Sequence, residues 1–236
     1  ASGTVAGNFS YSNNTGGATG IGNINFKTSI GGTINITANY TTPDVFIMYR
    51  LINQTSGGNI NVQNSVGFNL QKDTLKVTSL SIIGYRTGEY GRLWNNDITG
   101  NVTVADDISY GGGYNTTVWN NVITGNSSFS NNGLNILYDA NIAASGNKYL
   151  GNVTYIKTGA AISVGVGDVD EISGNLTLNS ASGIDLGKIN FTGNTNGVVE
   201  QLATQPINIA ELTMLKTGTG TITLNDPVSI SISATF

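Results

Sequence analysis

Three groups of side chains in this chain have types and spacings that suit chemistry. The first is aromatic: Tyr85, Tyr90, Trp94, Tyr110, Tyr114 and Trp119 lie within a 35-residue window, with Arg86 and Arg92 among them. Aromatic faces beside polar groups hold sugar rings through apolar CH contact and hydrogen bonds. The same residues could equally plug turns or cover an outer wall. The second group is acidic, Asp168, Asp170 and Glu171 in the run GDVDE, together with Asp106 and Asp107. Alternate carboxylates on one side of a strand offer oxygen ligands to Ca²⁺, and plain solvation explains them as well. Neither EF-hand spacing nor the calcium-binding glycine-rich nonapeptide is present. The third group is the sequons, eleven in all: Asn8, Asn13, Asn35, Asn39, Asn53, Asn101, Asn115, Asn126, Asn152, Asn175 and Asn190. They fit N-glycosylation of an exposed coat or filament. They fit just as simply a chain in which Asn makes turns and Thr fills strands.

The residues that are missing narrow the chemistry further. The 236 residues include no Cys and no His. Disulfides, thiolate nucleophiles, imidazole bases and Cys- or His-ligated metals are therefore excluded. Carboxylate pairs could serve a glycosidase or a polysaccharide lyase. A lyase needs a basic residue beside its acids, and Lys and Arg together number only 10. No enzyme is expected, and no cofactor other than Ca²⁺. A net charge of −4 argues against nucleic acid, which needs a positive face. No 18-residue apolar run is present to span a membrane. The opening ASGTVAGNFS has neither the charged nor the apolar region of an export signal, so such a signal is expected to have been removed. Charged residues make up 10 %, against roughly a quarter in ordinary domains. A surface of Asn, Ser and Thr should make stability depend weakly on pH.

The elements that would position these groups are strands. The segment 70–83, LQKDTLKVTSLSII, alternates with a period of two, as do NINF (23–26), TINIT (33–37), NINV (59–62), NVTV (101–104), NVTY (152–155) and NLTL (175–178). Gly, Asn or Ser flank each one, as tight turns require. The strands also recur: WNNDITGNVTVADD at 94–107 returns as WNNVITGNSSFSNN at 119–132. The glycines of the Gly-Asn steps, Gly100, Gly125, Gly151 and Gly174, are spaced by 25, 26 and 23 residues, with less regular copies at Gly7, Gly22 and Gly58. This pattern predicts an all-β, right-handed parallel β-helix or solenoid, in which like residues stack coil on coil. An antiparallel, pilin-like β-sandwich with one hairpin per period is the alternative. The dense apolar block Phe46, Ile47, Met48, Tyr49 and Leu51 reads as a buried strand, an end cap or a docking patch. No linker divides the chain, so residues 1–236 form one domain, less regular or capping over 1–58 and repetitive over 59–236.

The units GNVTY (151–155) and GNLTL (174–178), and the phrase ELTMLKTGTGTITLNDPVSIS (211–231), carry a resemblance. They resemble the β-strand repeats of very large cell-surface adhesins of Bacteroidota, exported by type IX secretion and in some members used in gliding. The resemblance covers roughly 60–231, best over 94–231. It implies an extracellular, non-enzymatic structural or adhesive segment whose partners are glycans or surfaces, and it transfers no catalytic residue. The alternative is a pilin-like filament subunit, N-glycosylated and polymerised by strand exchange through Thr4–Ser12 or the terminal PVSISISATF.

Overall fold

Near-identical segments one period apart superpose. Gly91–Trp94 and Thr116–Trp119 are neighbouring parallel strands, in which Trp94 is the register partner of Trp119. The computed structural model describes residues 4–12, 23–26, 29–37, 45–49, 52–63, 67–85, 91–106, 116–131, 146–157, 162–180, 184–192, 197–201, 207–214, 222–224 and 228–235. Side chains are described over 5–12, 31–37, 58–63, 68–83, 91–105, 118–130, 146–156 and 170–177, and at 190 and 192.

Every described strand pairing is parallel, and the described residues contain no helix. One register column climbs through Thr4, Ser29, Ile52, Thr74, Asp97, Val122, Lys148, Glu171, Asn190, Thr213 and Thr235. Each step in that column is one coil of a parallel β-solenoid. The antiparallel sandwich is thereby corrected: hairpins would place consecutive strands side by side, whereas partners here lie a full period apart. In the coil beginning at Asp97, residues 97–99, 101–105 and 116–119 form three sides. The third sides of five coils make a separate sheet, from Asn23–Phe26 through Val45–Tyr49, Gly67–Gln71 and Gly91–Trp94 to Thr116–Trp119. The apolar block at 45–49 is therefore an interior rung with a strand on each side, not an end. The described strands between Thr4 and Gln63 already pair in this parallel register.

The corners explain the turn residues. Lys72, Asn95 and Asn120 have φ of 57°, 57° and 51°. Asn tolerates this left-handed conformation better than most residues. The next corner is glycine. Gly100 has φ +130°, and a Cβ there would meet the Val77 carbonyl oxygen at 2.0 Å. Gly125, Gly151 and Gly174 each sit beneath the preceding glycine's carbonyl in the same column. The copy in the second coil is Gly32, which stacks on Gly7. Gly22, which the sequence pattern suggests, lies outside the described residues.

Alternation then sorts the side chains. Leu80, Val102, Ser127, Val153 and Leu176 are consecutive register partners facing inward. Each buried aliphatic in such a column contributes about 1.5–3 kcal/mol. Ser127 is the exception, since its Oγ is buried with no hydrogen-bond partner. Ser127→Val should therefore raise stability by about 1–2 kcal/mol, by removing an unsatisfied hydroxyl and restoring the aliphatic column. A denaturation midpoint that fell instead would mean the site is too tight for the extra methyls. Beside it, the Phe129 ring stacks on Tyr155 at 5.6 Å and meets Tyr149 edge-on at 6.2 Å.

Burial raises the phenol of Tyr149 well above its ordinary 10.0, with Tyr155 and Asp170 adding to the effect. Tyr155 is raised by burial and by Asp170. A phenol whose folded pKa is raised contributes stability that is whole below the unfolded value and lost as pH rises past it. This contribution should persist up to about pH 10 and decline above. In a spectrophotometric titration, both tyrosines should ionise only as the chain unfolds.

Candidate functional site

Two asparagine ladders run along the solenoid, one outside and one inside. Outside, the Gly-Asn steps at Asn8, Asn101, Asn126 and Asn152 each place an Asn whose Oδ1 accepts the backbone N–H one coil on. Asn126 N donates to Asn101 Oδ1 at 2.9 Å, Asn152 N to Asn126 at 3.0 Å, and Asn175 N to Asn152 at 2.9 Å. Asn8 serves Thr33 N in the same way at 2.9 Å. A backbone N–H can be met only by the oxygen of the amide, so this bond fixes which way each amide faces.

The inner ladder is Asp73, Asn96, Asn121, Asn147 and Asp170, the first three each one residue beyond a corner. Asn121 is 1 % exposed, and its Nδ2 donates to Leu93 O at 2.8 Å, Trp119 O at 3.0 Å and Asn147 Oδ1 at 2.9 Å. Its Oδ1 accepts from Asn96 N and Asn96 Nδ2 at 3.1 and 2.9 Å. At one end Asp73 N donates to Asn96 Oδ1 at 2.9 Å. At the other, Asn147 N and Nδ2 donate to Asp170 Oδ1 at 2.7 and 3.1 Å. Sequence reasoning missed this ladder. The signal was a polar residue four positions ahead of each column glycine, Asn96, Asn121, Asn147 and Asp170 against Gly100, Gly125, Gly151 and Gly174.

The acidic group is thus divided by the fold. Asp170 joins the inner ladder, and Glu171 lies 3.7 Å from Lys148 on the surface, with side chains 41 % and 52 % exposed. Such a pair is worth under about 1 kcal/mol. Asp168 lies in the strand Ile162–Ile172, its side chain outside the description, and Asp107 is outside the described residues. Among the described residues, no group of three or more acidic side chains is placed to hold a metal ion.

The aromatic group is brought together in part. The Trp94 and Trp119 rings lie with centroids 4.9 Å apart, tilted by 34°, and Trp94 Nε1 donates to Asn69 Oδ1 at 2.9 Å. Trp94 is half-buried and Trp119 buried, so one indole at most offers a face. Tyr85 ends the strand Thr74–Tyr85, its side chain outside the description. Tyr90, Tyr110 and Tyr114 lie outside the described residues.

The sequons have a structural explanation. Asn101, Asn126, Asn152 and Asn175 are the outer ladder, and Thr103, Ser128, Thr154 and Thr177, two residues on, are the next outward-facing column. A turn-forming Asn followed by a strand hydroxyl spells N-x-[ST] whether or not sugar is attached. Asn8, Asn101, Asn126 and Asn152 are exposed and Asn175 half-buried. Asn35 Oδ1 accepts from Asn61 Nδ2 at 2.8 Å, and Asn190 is 8 % exposed. Asn53 lies in the strand Ile52–Gln63 with its side chain outside the description, and Asn13, Asn39 and Asn115 lie outside the described residues.

On this face Asn101, Thr103, Asn126, Ser128, Asn152 and Thr154, with Val102 and Ser127 between them, line a shallow groove of about 350 Å³. Its lining carries no charge. The chain has no significant match among protein-family models, curated proteins or solved structures. The fold defines it as a parallel β-solenoid.

Proposed function

We propose that this chain is a secreted, non-enzymatic segment of a cell-surface adhesive protein, a β-repeat scaffold that presents a binding face. The observation that carries this reading is the repetition of an uncharged Asn/Ser/Thr face at every coil from Asn101 to Thr177, exposed at Asn101, Asn126 and Asn152 and half-buried at the rest. Asp170 and the buried asparagines are committed to holding coils together. A face that repeats in register suits attachment through many weak contacts, because linked sites gain strength from effective concentration.

The test is retention under flow of beads coated with the full chain, on surfaces carrying immobilised glycans and on bare surfaces. Glycan-dependent retention is the expected result, and its absence on every glycan overturns the reading. So would depolymerisation of a polysaccharide that disappears in Asp168→Ala, which would make the chain an enzyme. A ladder of non-dissociating subunits in native mass spectrometry would replace the reading with the filament one.

A further inference from the structure

We propose that the groove over Asn101–Thr154 binds an extended, uncharged polysaccharide, with its chain lying along the solenoid axis. This deepens, and rests on, the adhesive reading above. The argument starts from the amides. The ladder turns each Oδ1 of Asn101, Asn126 and Asn152 toward the next coil's N–H. Their NH₂ groups are given to no neighbour among the described residues, and all three side chains are exposed. The result is a row of donors whose orientation is fixed before any ligand arrives, so little entropy remains to be lost on binding.

Thr103, Ser128 and Thr154 set a second row beside it, of hydroxyls that both donate and accept. Both rows repeat every coil, about 4.8 Å apart along the axis. That is close to the advance of one pyranose in an extended glycan, so successive sugars meet equivalent groups. The lining holds no Lys or Arg to pair a uronate or sulfate, and no carboxylate to repel one. Neutral hydroxyl-rich sugars match it in both charge and hydrogen bonding.

Affinity electrophoresis of the full chain in gels containing xyloglucan, galactomannan or alginate tests this. Retardation by at least one neutral polymer and none by alginate is expected. The triple variant Thr103→Val, Ser128→Ala, Thr154→Val should reduce retardation by tenfold or more. Asn126→Asp is a second variant that keeps the ladder acceptor while replacing the outward NH₂ by a carboxylate oxygen, and it should do the same. Unchanged mobility of the wild type in both neutral gels, retardation by alginate alone, or equal retardation of both variants overturns the proposal. So does sugar attached to Asn101, Asn126 or Asn152 in protein from its own source. If beads coated with the triple variant hold to glycan surfaces as well as wild type, the groove fails while the adhesive reading stands. If neither holds, the reading itself has failed.

Discussion

Asn121→Ala is expected to lower stability by about 4 kcal/mol, because it strands several buried polar groups at once. The substitution removes the donors to Leu93 O and Trp119 O and the acceptor for Asn96 N and Nδ2, all in a site 1 % exposed. Each buried group left without a partner costs about 1–3 kcal/mol, and partial relaxation brings the sum below the simple total. Two coils lose their link together, since Asn121 also joins Asn147. For a chain of this length the thermal midpoint should fall by about 8–16 °C. Asn121→Asp keeps the acceptor oxygen but loses the NH₂ and buries a charge, so it should not rescue. A loss below about 1 kcal/mol, the worth of one ordinary hydrogen bond, would show that the ladder is incidental.

Gly125→Ala should be at least as damaging, for a steric reason. A Cβ at Gly125 would lie 2.2 Å from the Gly100 carbonyl oxygen, 2.3 Å from its carbon and 2.6 Å from Asn101 N. All three are backbone atoms, so no side chain can swing aside. Relief requires the coils to part where Asn126 N bonds Asn101 Oδ1 and Val102 N bonds Asn126 O. A cost of about 4 kcal/mol or more, or failure to fold, is the expected outcome. Gly7→Ala is the matched control, because a Cβ there meets nothing within 4 Å. It should change stability by no more than about 0.5 kcal/mol. Equal effects at the two glycines in a denaturant titration would refute the stacked-carbonyl explanation.

Particular residues show how far the sequence could be read. Trp94 and Trp119, Asn95 and Asn120, and the glycines from Gly100 to Gly174 announced a stacked coil, and they stack. The copy at Gly32 was not legible, because Gly-Thr replaces Gly-Asn there and only the Gly7 carbonyl above it identifies the position. Whether the strand at 45–49 caps an edge or sits between two others was not legible, because strand pairing on both sides cannot be seen in a local window. The carboxylates of GDVDE looked like one group, yet Asp170 joins the inner ladder and Glu171 faces Lys148. Alternation along a strand sends neighbours to opposite sides.

The sequence by itself determined that the chain is all-β, that it coils with a period near 25 and that it is poor in charge and rich in Asn, Ser and Thr. Those properties follow from residue type and spacing, which are local. Only the tertiary structure decided which Asn of each Asn-Asn pair turns the corner and which is buried, since that depends on the φ > 0 taken by Asn95 and Asn120. It likewise decided that sequons in successive coils line one groove. Contacts about 25 residues apart come into being only when coils stack at the spacing that backbone hydrogen bonds impose.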